Sequence, residues 1–353
     1  MAKKKILFGV LNWGLGHATQ SALVINWLIK QNFEVHIASD DAAMQYLKIE
    51  FPACRFIDLP GYNVSYSHKG FFLFGKILWQ LPKIWSAIRS EHQFVSELNE
   101  KENYDFIISH NRYGVYLHST PSVIICHQTW VSSKYFEGLV NFFHRKLLAR
   151  FNEIWVPDFT NSIDSLTGKL GHCQTGVPQI YLGSLTTEFT DKPIAKYDFA
   201  AILSGPEPQR SILESIVVTR FENLSKKKVL LVRGTQIRSN KKYAFDSIDF
   251  CSSETIREVI ENTDCVIGRS GYSSIMNYYS SGVKAILVPT PGQGEQEYLA
   301  EWNKKNENIS VVYQDKLMTA NLIKIAENLK KRQKNNLNQW KEVIQNRMSI
   351  LLS

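Results

Sequence analysis

No apolar run in this 353-residue chain reaches the length of a membrane span. No secretion signal opens it either. MAKKK leads straight into a strand-like segment, with neither an apolar core nor a cleavage site, so a cytoplasmic location is expected. Cysteine is scarce. The five residues, at 54, 126, 173, 251 and 265, form no C-x-x-C pair. An odd number at irregular spacing excludes a disulfide framework and a cysteine-held zinc, and leaves reduced, mostly buried thiols. H-E-x-x-H is missing too, so no metal or other cofactor is expected. The net charge is +8, yet no nucleic-acid motif accompanies it and the lysines are scattered. Attraction to anionic substrates or to a membrane surface is the better use of that charge. The densest basic run, LKKRQKNNLNQWK (329–341), reads as the solvated face of a terminal helix.

What the chain does contain is an alternation of apolar strands and helical patterns. KILFGVLN (5–12) precedes a helix over about 18–31, and EVHIAS (34–39) precedes another. DFIISH (105–110), SVIICH (122–127), EIWVPD (153–158) and QIYLG (179–183) continue the series. Continuous apolar strands between helices signal a parallel sheet covered on both faces. A second series follows: YDFAAILSG (197–205), KKVLLVRG (227–234), CVIGRSG (265–271), KAILVPT (284–290) and ISVVYQ (309–314). The polar stretch TTEFTDKPIAKY (186–197) between them reads as a linker. The expected architecture is α/β. Two tandem doubly wound, Rossmann-like domains, 1–190 and 191–335, face a cleft, and 336–353 forms a C-terminal helix.

Ligands of open parallel sheets collect at the carboxyl ends of the strands. Three groups of residues stand there. In LFGVLNWGLGHATQS, Gly14 and Gly16 bracket Leu15, and His17 opens a helix. Helix amides would keep such a histidine neutral and able to accept a proton, although a packing histidine is the plainer alternative. A dinucleotide fingerprint would need a third glycine, where Thr19 stands, and His17 would crowd the pyrophosphate. Asp40, ending the second strand, sits where a ribose-binding acid would. The second group is ILSGPEPQRS (202–211). Gly205 frees the turn and Arg210 could reach an anion at the helix start, or the segment is an ordinary βα loop. The third and densest group is DCVIGRSGYSSIMNYYSSGVKAILVPTPGQGEQEYLAEW (264–302). Arg269, Ser270, Gly271, Tyr272, Ser273 and Ser274 offer hydroxyls and amides to phosphate oxygens, and Gln296 with Glu297 suits a ring of sugar hydroxyls.

WGLGHATQS together with IGRSGYSSIMNYYSSGVKAILVPTPGQGEQEYLA resembles the GT-B nucleotide-sugar glycosyltransferases. The nearest group is the N-acetylglucosaminyltransferase family that makes lipid II, and bacterial predicted glycosyltransferases with a WGLGHAT opening resemble the chain more narrowly. The resemblance implies that Gly14, Leu15 and Gly16 lie beside the donor diphosphate and that His17 is the base or an acceptor-binding group. It implies that SGPEPQR, with Gly205 and Arg210, touches the nucleotide, and that backbone at Phe250 and Cys251 recognises uracil. Ser270 to Ser274 would cradle phosphates, and Gln296 and Glu297 would hold the donor sugar. Asn277 stands where the family often has a ribose-holding glutamate, Glu297 replaces a glutamine, and Pro206 replaces a serine. Asn111, Arg112, His127 and Gln128 fall on the acceptor side.

The resulting expectation is an inverting transferase that moves a sugar from a UDP-sugar to a hydroxyl acceptor, lipid-linked or in the cell envelope. The UDP-sugar is a substrate. D-x-D is absent, against the metal-dependent transferase fold. A nucleotide-sugar hydrolase or epimerase on the same fold, or a non-catalytic nucleotide-sugar-binding protein, are the alternatives. The segment KGFFLFGKILWQLPKIWSAIRSEHQFV (69–95) has the composition of an interfacial helix pair broken near Pro82. It suggests peripheral contact at the inner face of a membrane, against the plainer reading of core helices.

Overall fold

The computed structural model describes residues 3–13, 15–61, 73–132, 136–161, 163–190, 195–235, 241–249, 252–334 and 339–353. The chain divides into two compact units, Met1–Leu185 with Asn338–Ser353, and Thr186–Leu337.

In the first unit the strands are β1 (Lys5–Val10), β2 (Glu34–Ser39), β3 (Arg55–Asp58), β4 (Phe106–His110), β5 (Ser122–Ile125), β6 (Glu153–Val156) and β7 (Gln179–Tyr181). They pair in parallel in the order β3-β2-β1-β4-β5-β6-β7. Helices α1 (Leu15–Lys30), α2 (Asp41–Glu50), α3 (Leu73–Glu102), α4 (Glu137–Leu148) and α5 (Lys169–His172) connect them. The strand order reverses between β1 and β4, the point at which such sheets open a crevice for ligands. Central strands β4, β5 and β6 are buried along their whole length, as a sheet covered on both faces requires.

The second unit repeats the plan. Its strands are β8 (Tyr197–Ile202), β9 (Val229–Val232), β10 (Asp246–Ile248), β11 (Thr263–Gly268), β12 (Lys284–Leu287) and β13 (Ile309–Val311), in the parallel order β10-β9-β8-β11-β12-β13. Its helices are α6 (Gln209–Glu222), α7 (Ser253–Glu261), α8 (Tyr272–Ser281), α9 (Gly294–Asn303) and α10 (Leu322–Asn328). One core joins Phe199, Ala201, Leu213, Val217, Phe221, Leu231, Ile267 and Ile286. Here the reversal falls between β8 and β11, which puts Gly205 and Arg269 at the two strand ends that flank it.

The last helix, α11 (Gln339–Leu351), returns to the first unit. It buries Trp340, Ile344 and Met348 at a spacing of four, a stripe worth about 1.5–3 kcal/mol per side chain withdrawn from water. Trp340 meets Trp27 of α1 edge-on at 6.2 Å, and Arg347 pairs with Glu153.

Two expectations require correction. The basic run from residue 329 is not the face of one helix. α10 ends at Asn328, and 329–334 is held by tertiary partners: Lys330 donates its amide to Glu307 O, Arg332 to Gly282 O, and Lys331 pairs with Asp264. The helix pair expected around Pro82 is one helix, α3, running from Leu73 to Glu102. Proline forfeits a single main-chain hydrogen bond, and the turns on either side carry the helix through. Among the described residues, Cys54, Cys126, Cys173 and Cys265 form no disulfide; Cys251 lies outside them.

Candidate functional site

In the first unit the site residues gather where β1, β4 and β5 end. His17 lies in the first turn of α1, His110 ends β4, and His127 follows β5. The parallel register pairs Val10 with His110, so the strand end of β4 meets the helix that leaves β1. The His17 and His110 rings meet edge-on with centroids 4.9 Å apart, and His127 stacks on His17 at 6.2 Å. His17 Nδ1 is 3.3 Å from His110 Nε2, and Ser21 Oγ is 2.8 Å from His110 Nδ1. His110 is fully buried, and burial with His17 and His127 alongside drives its pKa well below the ordinary histidine value. Asn111, left-handed at φ 60°, brings its amide nitrogen to 3.5 Å from His17 Nδ1. Its Oδ1 is buried without a hydrogen-bond partner. Gln128 accepts the Cys126 thiol proton on its carbonyl oxygen, 3.0 Å away.

Arg112 departs from the expectation that it serves an acceptor. It is wholly buried, with Nε on Glu91, Nη1 2.6 Å from Asp40 and Nη2 donating to Pro60 O at 2.7 Å. Glu91 also accepts from the Gly114 amide at 2.9 Å. Arg112 is therefore an internal tie between α3 and the strand ends. Asp40, the acid that favoured a dinucleotide, has its carboxylate on this guanidinium rather than offered to a ribose.

In the second unit, Arg269 leaves the end of β11 and Gly271 caps the start of α8. Space is open where a Gly271 side chain would project, and Gly271, the N-cap residue, has no side chain to cap the helix. Tyr272 is buried, whereas Ser273, Ser274 and Asn277 are half-buried. The Arg269 guanidinium is buried among neutral acceptors: Val288 O at 3.2 Å, Pro289 O at 3.3 Å, Gln209 O at 2.7 Å and Gln314 Oε1 at 2.8 Å. Among the described residues no carboxylate pairs with it, its Nε has no partner, and burial lowers its pKa to about 10. It stays charged at neutral pH. An uncompensated cation beside a helix N-terminus makes a local field that favours an anion.

Ser270 donates its hydroxyl to Gln296 O at 2.8 Å, which joins the cradle to α9. Gln296 Oε1 accepts from the Thr290 amide at 3.0 Å, and Glu297 Oε1 from the Gly292 amide at 2.9 Å. Both side chains thus brace the loop ahead of their own helix. Glu297 also lines a cavity of about 290 Å³ with Pro289, Tyr313 and Gln314. Gly205 adopts φ +102°, a conformation that disfavours any side chain, over open space.

Arg210 does not offer itself to an anion. Glu207 and Glu214 both pair with it, and Glu214 pairs in turn with Arg233, which holds Asp249 at 2.6 Å. Neutralised on two sides, its charge is consumed in this network. Gly14, the Leu15 side chain, Phe250, Cys251 and the aromatic pair Phe71 and Phe72 lie outside the described residues. Sequence reasoning missed Ser21, although it stands one helical turn after His17. Its role depends on the β1–β4 pairing that brings His110 to it.

Residues 209–350 match the model of the glycosyltransferase family 28 C-terminal domain, and residues 4–125 that of glycosyl transferase family 1. A search of curated proteins returned no match. Among solved structures, the glycotransferase of kitacinnamycin is 12% identical over 100% of both chains, with a TM-score of 0.65. LpCGTa in complex with UDP is 12% identical over 100% of both chains, with a TM-score of 0.63. MurG of Acinetobacter baumannii is 11% identical over 99% of each chain, with a TM-score of 0.59. With glycosyltransferase models matched in both halves and the same pair of Rossmann-like sheets throughout these structures, the chain is a glycosyltransferase of the GT-B fold.

Proposed function

We propose that this transferase moves a sugar from a uridine diphosphate sugar to a hydroxyl acceptor, with inversion and without a metal. The observation that carries the reading is the buried Arg269, with no carboxylate partner among the described residues, beside the glycine-started N-terminus of α8. Charge develops on the departing diphosphate, and a fixed cation with preoriented amides stabilises it without reorganisation. Glu297 and Gln296 face the donor sugar, and Asn277 its ribose. His17 takes the proton of the attacking hydroxyl as that oxygen bonds to the anomeric carbon and the bond to the diphosphate breaks. Asn111 and His127 line the acceptor side. UDP stands first among nucleotides because the 264–302 motif matches uridine-diphosphate transferases and the solved complex of LpCGTa holds UDP. Calorimetric titration is expected to give tighter binding of UDP than of ADP or NAD. Preferential NAD binding would overturn the reading, and consumption of a UDP-sugar without any acceptor would reassign the activity to hydrolysis or epimerisation.

We further propose that the acceptor is reached at an anionic membrane surface. Among the described residues no helix is long and apolar enough to cross a membrane. Yet α4 leaves Leu139, Phe142 and Phe143 53%, 46% and 44% exposed, with Trp85 of α3 beside Phe143. Lys146 lies over the Phe142 ring at 4.5 Å and Arg150 over Trp85 at 5.3 Å. Aromatic rings ringed by cations suit the headgroup level of an anionic bilayer. The wild-type protein is expected to float with anionic vesicles at low salt, and Phe142→Ser with Phe143→Ser to lose flotation while retaining UDP binding. A wild type that stays in the soluble fraction with every lipid and salt rejects the membrane contact.

A further inference from the structure

A guanidinium carries five N–H donors, and the four on the Nη atoms of Arg269 meet four acceptors. Nη1 donates to Val288 O at 3.2 Å and to Pro289 O at 3.3 Å, and Nη2 to Gln209 O at 2.7 Å and to Gln314 Oε1 at 2.8 Å. These acceptors come from three other segments at the strand ends. Gln209 opens α6, Val288 and Pro289 follow β12, and Gln314 lies beyond β13. A buried charge is tolerated only where polar groups replace its water. Among the described residues every acceptor of this guanidinium is neutral. Three are main-chain carbonyls, which no substitution can make anionic. The fourth is a side chain, so residue 314 is the position at which the charge is either kept or cancelled.

Glutamine keeps it. Its Oε1 accepts from Arg269 Nη2, while its Nε2 donates to Gln209 Oε1 at 3.4 Å, which turns the amide oxygen toward the cation. Glutamate has nearly the same shape, but it would set a carboxylate on Nη2 and a second anionic oxygen against Gln209 Oε1. Gln314 is half-buried and Arg269 wholly so, and salt screens such a pair only weakly. Arg210 shows the opposite arrangement in the same unit, with Glu207 and Glu214 both on its guanidinium.

We propose that Gln314 is a positioning residue for diphosphate binding: its neutral amide fixes the Arg269 guanidinium across the strand ends and leaves its charge to act on the phosphates. The proposal rests on the reading of Arg269 as the cation that stabilises the diphosphate. With its Nη hydrogens all taken, the guanidinium acts through its field rather than by Nη bonds to the ligand. One carboxylate on Nη2 is enough to quench that field.

Affinities of the full chain for UDP, by calorimetry, and for uridine, by ligand-observed NMR, test this, because only UDP carries the charge that the guanidinium senses. Gln314→Glu is expected to weaken UDP about 10- to 100-fold, the scale of one unit charge at several ångströms in a partly buried site, and to leave uridine at its wild-type affinity. Gln314→Met removes the acceptor without adding a charge. It is expected to weaken UDP only severalfold, again with uridine unchanged. Losses that are equal in the two variants, or that uridine shares, overturn the proposal, since a merely structural residue gives that result. Wild-type UDP affinity in Gln314→Glu also overturns it. If Gln314→Glu does not fold, Gln314→Met decides: a severalfold loss confined to UDP supports the proposal and wild-type UDP affinity overturns it. Arg269→Met tests the reading beneath. UDP binding unchanged in Arg269→Met removes that reading and the proposal with it, whereas UDP weakened by Arg269→Met but not by Gln314→Glu removes the proposal alone.

Discussion

His17→Ala is expected to lower kcat by about 10²–10⁴, the range typical of a lost general base, while UDP affinity stays at the wild-type level. The two effects part because the groups assigned to the diphosphate, Arg269 and the α8 terminus, belong to the second unit, and His17 to the first. His17→Gln separates two ways of failing. It keeps a polar side chain toward His110 but cannot take up a proton, so it should lose turnover much as alanine does. Initial rates at saturating donor, with calorimetry of UDP on the same preparations, provide the check. A His17→Ala rate near wild type moves proton removal to another group. His127, stacked on His17 at 6.2 Å, is then the first to be replaced.

The second large effect is a steep loss of stability in mild acid. His36, His92, His110 and His144, all in the first unit, are buried enough for desolvation to lower their pKa values, that of His144 to about 4. The unfolded chain takes up protons near pH 6.5 that the folded chain refuses. Stability is therefore fully present above about pH 6.5, falls as the pH drops, and stops falling on this account only below the folded values. For His144 alone the loss amounts to about 3 kcal/mol between pH 6.5 and 4. Asp158 adds to it at lower pH. Burial pushes its carboxyl up, but His172, the Thr167 hydroxyl and the Leu166 and Thr167 amides together hold its pKa below the usual value. Denaturant melts across pH 7.5 to 5 measure the slope. In His144→Gln, which cannot titrate, the slope should fall by up to about 1.4 kcal/mol per pH unit. An unchanged slope would show that His144 does not carry this effect.

Much of the fold was legible from residues alone, and the exceptions share a cause. EVHIAS was read to the residue as β2, and the other apolar runs each yielded a strand one to three residues shorter at one or both ends, with β11 also starting two residues earlier. The two strands that went unread, β3 as RFID and β10 as DSI, each stand at one edge of their sheet. Both are short and expose Arg55 and Asp58 or Asp246 and Ser247, so no apolar run marks them. At the site, Gly271 marked the start of α8, whereas Gly16, read as part of a turn, lies within the first turn of α1 and Gly14 falls outside the described residues. The arginines were less readable. Arg112, Arg210 and Arg269 look alike as strand-end cations, yet the first two meet buried carboxylates from α3 and α6, and the third meets only neutral groups.

The sequence by itself determined the α/β class, the two parallel sheets and the glycosyltransferase kinship, because burial on both faces dictates long apolar strands and the 264–302 motif is local in the chain. Only the tertiary structure decided which charges remain available and how His17 is held. Those properties belong to pairs far apart in sequence, such as Ser21 with His110 and Glu91 with Arg112. Whether a buried polar group is spare or already satisfied depends on what the parallel pairing of β1 with β4 brings beside it.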